Sequence, residues 1–279
     1  MMKSIQDIVK EKGIMIVAHR GVAGGNLPCN TPESYEGAIL QGADMVELDV
    51  SISRDGKLFV FHPGMEPAHL KSEKLIADMD ATEVEQLRFY NMDDAETHYG
   101  VSYLKDVLKQ LKGRILINID KYWTCMEEIT ALVRELGMEQ QVLVKLFADQ
   151  TEEIEKMEQV APDIPFMVLV KHTDEITDTL LQKNVNYIGT EVLFETDTAP
   201  VASKEYVEEM HKKGLLVWMN AIVYNEKDVI SGGHTDDISV AGNPDEGWGW
   251  IGARGADIVQ TDWPQMAITY YEKTGKRTK

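Results

Sequence analysis

Cysteine is nearly absent: Cys29 and Cys125 are the only two in 279 residues. That is too few for a disulfide framework or a zinc-thiolate site. Long apolar runs are missing as well. Met1 to Gly13 is polar and charged, and the apolar run from Ile14 to Ala18 is cut off by His19. The expectation is neither a signal peptide nor a membrane span, hence no stable membrane anchor and a cytoplasmic default. No block of basic residues occurs before the short tail Lys273 to Lys279, and the net charge is −19. Nucleic acid and anionic membranes repel such a surface, so neither is an expected partner. No repeat, low-complexity segment or linker divides the chain, which reads as one domain over residues 1–279.

What the chain does have is alternation. Apolar, β-branched runs at 14–18, 44–50, 114–119, 141–146, 165–170, 186–190, 214–219 and 257–261 read as strands. Helical patterns fall between them, at 31–42, 101–112, 124–137, 150–161, 174–184, 202–213, 225–230 and 264–273. Repeated βα units around a parallel sheet predict a closed α/β barrel of the (β/α)8 TIM type. Thr31-Pro32-Glu33-Ser34 has the capping hydroxyl, early proline and acid of a helix start. Residues 51–100 break the alternation. Arg54-Asp55-Gly56-Lys57 is a turn between strand-like runs, so a hairpin and an irregular insertion are expected inside the second βα unit. The stretch 234–250, with Trp248 and Trp250, exceeds a usual barrel loop and is a candidate lid.

The chemistry concentrates in residues 14–66. Glu47 and Asp49 are two apart on a strand, so the pleat turns both toward one side while Val46, Leu48 and Val50 face the other. Two carboxylates in a barrel mouth repel each other unless a cation neutralises them, and oxygen ligands favour Mg2+ or Ca2+. His19 and Arg20 sit where the first strand gives way to a glycine-rich loop, and His62 ends the run Leu58 to Phe61. Histidine suits proton transfer, and arginine can clamp a phosphate. Taken singly, each has a plainer reading as a strand-end or surface residue.

Together, Ala18-His19-Arg20-Gly21, Asn30-Thr31-x-x-Ser34, Gly42-Ala43-Asp44-x-Val46-Glu47-Leu48-Asp49-Val50, Asp55-Gly56 and His62 resemble the glycerophosphodiester phosphodiesterase family. Weaker echoes follow at Val217-Trp218, Gly255-Ala256-Asp257 and Thr261-Asp262-x-Pro264. The resemblance implies a TIM barrel acting on a small-molecule glycerophosphodiester, with His19 and His62 as acid and base. It also implies one divalent metal on Glu47, Asp49 and a third-strand carboxylate. The favoured order makes His19 the base and His62 the acid.

The third strand departs from the family pattern Glu-x-Lys, reading Asn118-Ile119-Asp120-Lys121-Tyr122. Asp120, the only carboxylate at that strand end, is the preferred metal ligand, with Asn118 as the alternative. Tyr122 takes the family's lysine position, and Lys145 on the fourth strand is the candidate replacement for phosphate binding. A snorkelling surface lysine is its plainer reading. Cys29 stands where the family commonly has glutamate and reads as a semi-buried residue, not a nucleophile. Trp218 could contact the organic part of a substrate or serve as core. Glu191 reads best as a solvated acid. Two alternatives stay open: a lyase of the same barrel that stops at a cyclic phosphate, and a catalytically degenerate ligand-binding barrel.

Overall fold

A computed structural model describes residues 3–225 and 227–279. Its strands are β1 (Met15–Ala18), β2 (Met45–Ile52), β3 (Leu58–Val60), β4 (Arg88–Tyr90), β5 (Glu96–Gly100), β6 (Leu116–Asp120), β7 (Val142–Phe147), β8 (Phe166–Lys171), β9 (Tyr187–Leu193), β10 (Leu216–Asn220) and β11 (Ile258–Thr261). Eight of them pair in parallel in the cyclic order β1-β2-β6-β7-β8-β9-β10-β11, and β11 returns to β1. This is the closed TIM barrel that the alternation predicts.

The pleat sorts side chains as expected. Val46, Leu48 and Val50 join the apolar layer between strands and helices. Met15, Met45, Leu116, Leu143, Met167, Ile258 and Trp218 fill the barrel interior below the mouth. An unpredicted helix, Ile5–Lys12, plugs the floor with Ile5, Ile8 and Val9. Beside it lies a latch. Asp44 accepts hydrogen bonds from the Ile16 amide at 2.9 Å, Lys12 at 2.6 Å and Arg277 at 2.6 and 3.0 Å. Arg277 also donates to the Ile14 carbonyl at 2.7 Å. Chain segments from both ends of the described residues therefore meet at the bottom of β1 and β2.

Most helices fall within a few residues of expectation, for example Met126–Leu136, Lys204–Lys212 and Pro264–Lys273. Two do not. The stretch 174–184 is helical only over Thr177–Leu180, because an Asp174 turn bonded to Thr177 consumes its start. Residues 225 and 227–230 form no helix, and Glu226 in that span lies outside the described residues. Asn225 there caps a local turn, accepting from the Lys227 and Asp228 amides.

The insertion contains the predicted β2–β3 hairpin and a second, unpredicted antiparallel pair, β4–β5. Phe59, Phe61, Leu70, Ile76 and Phe89 give it a small core of its own. Among the described residues no helix is long and apolar enough to cross a membrane.

Candidate active site

The C-terminal ends of the barrel strands open on a cavity of about 380 Å3, within the range of small-molecule sites. His19, Arg20, Glu47, Asp49, His62, Asp120 and Lys145 all line it. These seven residues, all singled out from the sequence, thus converge in one place. Strand register explains much of this, because Glu47 pairs level with Asn118, and Asp49 with Asp120.

Glu47, Asp49 and Asp120 place one carboxylate oxygen each within 4.8 Å of one another. Burial, then the charges of Asp49 and Asp120, push the Glu47 carboxyl well above its ordinary range. Burial also opposes ionisation of Asp120, but Lys121 and Lys145 outweigh it and hold that group low. Three converging carboxylates, one of them resisting its own charge, are a donor set that a hard divalent cation fits. The Asn118 side-chain oxygen faces the same cavity, is fully buried and has no hydrogen-bond partner among the described residues.

Asp49 is the hub. Arg20 Nε lies 3.0 Å from it, Asn30 Nδ2 donates to it at 2.9 Å, and Lys121 Nζ lies at 3.8 Å. All three of these residues adopt left-handed backbone, with φ of 55°, 56° and 60°. Such conformations are uncommon outside glycine and cluster at functional sites. Local packing holds that of Arg20. Gly21 leaves no room for a Cβ, which would fall 2.4 Å from Ser34 Oγ. Ser34 completes a capping box with Thr31 and donates to the Arg20 carbonyl at 3.1 Å. The Arg20 amide in turn donates to Glu47 at 2.9 Å.

The two histidines are held differently. His62 Nδ1 lies 2.9 Å from the Pro63 carbonyl, which can only accept. The proton is therefore on Nδ1, and Nε2 is a buried lone pair 3.9 Å from Asp49 with no hydrogen-bond partner among the described residues. Burial lowers its pKa, and Arg20 and Lys121 add to that while Asp49 opposes. His19 Nδ1 is 2.8 Å from Asp262 at the end of β11. Asp262 is itself positioned by Asp236, which accepts from its amide at 2.8 Å and from Thr261 and Trp248 at 2.7 Å each.

Several sequence readings need correction. Trp218 is fully buried in the barrel interior and is not part of the cavity wall, which fits its reading as core. Its ring instead underlies Lys145, whose Nζ is 3.5 Å from the ring centroid. Glu191 is not a solvated acid. It is buried, accepts from Asn220 at 2.7 Å and pairs with Lys145. Lys145 thus reaches the cavity with its charge already matched. The family's missing cation is better matched by Lys121, which binds Asp120 at 2.6 Å, while Tyr122 turns into the helix layer and bonds Thr130. The stretch 234–250 is more ordered than a loop and does not line the cavity. It forms the short helices Asp236–Val240 and, in part, Trp248–Arg254, with Trp248 buried and Trp250 stacked on His234 at 3.8 Å. Cys29 is half-buried and its thiol is pushed up to about 11 by burial, in keeping with a non-nucleophilic residue.

The profile of the glycerophosphoryl diester phosphodiesterase family matches residues 19–240. An uncharacterized Bacillus subtilis protein, YqiK, is 31% identical over 140 residues, 47% of this chain and 57% of that protein. A glycerophosphodiester phosphodiesterase of Bacillus altitudinis is 31% identical over 144 residues, 47% of this chain and 57% of its own. The matches thus span little more than half of these relatives' length. A glycerophosphoryl diester phosphodiesterase structure from Parabacteroides distasonis superposes with a TM-score of 0.76 at 16% identity, covering 98% of this chain and 93% of its own. An Oleispira antarctica phosphodiesterase, solved in complex with the product sn-glycerol-3-phosphate, gives 0.65 at 18% identity, covering 92% and 96%.

Proposed function

The chain belongs to the glycerophosphoryl diester phosphodiesterase family, and from that premise we propose that it hydrolyses glycerophosphodiesters to an alcohol and glycerol phosphate. The observation that carries the reading is one cavity holding two histidines against three converging carboxylates. We take residues 1–279 to act as one catalytic unit in the cytoplasm.

Glu47, Asp49 and Asp120 would hold one divalent cation, Mg2+ or Ca2+. That ion supplies charge neutralisation on the phosphoryl oxygens when bound. Arg20 and Lys121 add positive charge from the protein side and orient the phosphate. The hydrogen bonding favours the reverse of the order expected from sequence. His62, with its Nε2 lone pair turned inward, is suited to take the proton from the attacking water. His19, whose ring Asp262 fixes through Nδ1, is suited to give a proton to the departing alcohol from Nε2. The water oxygen bonds to phosphorus, the ester bond to the alcohol breaks, and one proton enters at His62 as another leaves from His19.

The test is glycerol phosphate release from a panel of glycerophosphodiesters with Mg2+ or Ca2+, before and after chelation. Release is expected only with metal, with a linear rather than a cyclic phosphate by phosphorus NMR. Unchanged turnover in His19→Ala would refute the mechanism.

A further inference from the structure

One arc of the cavity floor has no part in the hydrolysis described above. Across the barrel from the three carboxylates, Lys145 of β7, Glu191 of β9, Asn220 of β10 and Gln260 of β11 all line the cavity. Each is between 1% and 5% exposed. Asn220 and Gln260 lie level on neighbouring strands. The arc also adjoins the carboxylates, because Asp120 and Lys145 each follow the level pair Ile119 and Val144.

Only part of its hydrogen-bonding capacity is used. Asn220 is satisfied, donating to Glu191 at 2.7 Å and accepting from the Trp218 indole at 3.1 Å. Glu191 gives one oxygen to Asn220 and the other to Lys145, so each oxygen keeps a second lone pair. Lys145 has Glu191 on one side and the Trp218 ring beneath, and one N–H is left. The Gln260 side chain makes no hydrogen bond among the described residues, although buried amides ordinarily find partners. Its carbonyl and both amide protons are open to whatever fills the cavity.

The charges of Lys145 and Glu191 cancel and the two amides are neutral, so the arc offers donors and acceptors without net charge. The other charged residues of the cavity stand apart from it. Arg20 and Lys121 face Asp49 and Asp120, while Lys171 and Asp228 are exposed. Hydroxyl groups match such a surface, because they donate and accept without carrying charge. The glycerol of a glycerophosphodiester has two of them. With its phosphate against the carboxylates and cations, they would reach the adjoining arc.

We propose that Gln260 and the pair of Lys145 and Glu191 bind the two free hydroxyls of the glycerol moiety, and so set the preference for glycerophosphodiesters over other phosphodiesters. The inference rests on the phosphodiesterase reading.

The test compares ethanol release, in saturating Mg2+, from the ethyl ester of sn-glycerol 3-phosphate and from ethyl propyl phosphate, which lacks both hydroxyls. By kcat/KM the glyceryl ester is expected to be favoured about a hundredfold or more, because a site built to hydrogen-bond hydroxyls rejects an analogue without them. Gln260→Met nearly keeps the side-chain volume and has no hydrogen bond to lose, so it should fold normally. It is expected to shrink that preference about tenfold. Lys145→Met combined with Glu191→Gln leaves no unpaired charge and keeps an acceptor for Asn220, and should also shrink the preference about tenfold or more. Equal or better use of ethyl propyl phosphate by the unaltered protein overturns the proposal. So does an unchanged preference in either variant, which is what a merely structural role predicts even where activity on both esters falls. Release from neither ester defeats the phosphodiesterase reading itself, and this inference with it.

Discussion

Two halves of one barrel mouth, built from the same kind of strand end, treat charge in opposite ways. Around β11, β1, β2 and β6 the wall carries three carboxylates, two histidines, Arg20 and Lys121, with the Nε2 of His62 and the Oδ1 of Asn118 buried and unpartnered among the described residues. Around β7 to β10 the wall is mainly apolar, and its buried ion pair, Lys145 with Glu191, is closed on itself over Trp218. Buried polar groups ordinarily find partners. The first half violates that rule and needs support from below: Asn30 and Tyr35 brace Asp49, and Asp236 braces Asp262. The second half satisfies the rule, with Asn220 bonded to Glu191 completing the pair. Violations of local rules of this kind cluster at functional sites.

The most direct way to break this division is to remove the cation. Excess chelator is expected to take glycerol phosphate release to background, and Glu47→Gln to abolish Mg2+ or Ca2+ uptake in calorimetry. Activity undiminished by chelator would end the metal reading. Next in size, His62→Ala should lower kcat by about 10²- to 10⁴-fold while KM for an apolar ester moves little. A change confined to KM would place His62 in binding and blur the two halves.

Lys121→Met should cost about tenfold to a hundredfold in kcat/KM, as loss of a charge-assisted phosphate contact does. It also carries a signed pH effect. Burial, with Arg20 and Lys121, keeps His62 below the ordinary histidine range, so the unprotonated base persists to lower pH. The acid limb of kcat/KM is expected below about pH 6.5 in the unaltered protein and at higher pH in Lys121→Met, because a repelling cation is gone. A limb that stays put or moves down contradicts the assignment. The smallest effect belongs to the apolar half. Trp123→Ala should raise KM for a glycerophosphodiester with an apolar alcohol about threefold to tenfold with kcat unchanged, and a fall in kcat for every substrate would show that the halves are not separable.

Much of the polar half is legible before folding, because strand periodicity alone assigns the faces of Glu47 and Asp49, and strand ends assign His19 and His62. Asp120 is legible by elimination, and the register with Asp49 supplies the reason. Lys121 is hidden by that same periodicity. Its left-handed backbone turns it back toward Asp49, whereas alternation hands the position to Tyr122. Asp262 lies 243 positions from His19 and carries no local sign of their contact. Glu191 and Trp218 fail for a common reason: a solvated acid and a buried one, or a wall tryptophan and a floor one, have the same sequence context and differ only in what the barrel places above them.

The latch under the barrel has a consequence for how the protein is made. Asp44 emerges from the ribosome long before its partner Arg277 exists, and the Ile14–Arg277 contact spans 263 positions. The latch beneath β1 and β2 therefore forms only once residue 277 has been made, among the later long-range contacts. A chain clipped before residue 277 would keep every residue of the cavity yet leave the buried Asp44 without its guanidinium, a loss that typically costs about 3–5 kcal/mol.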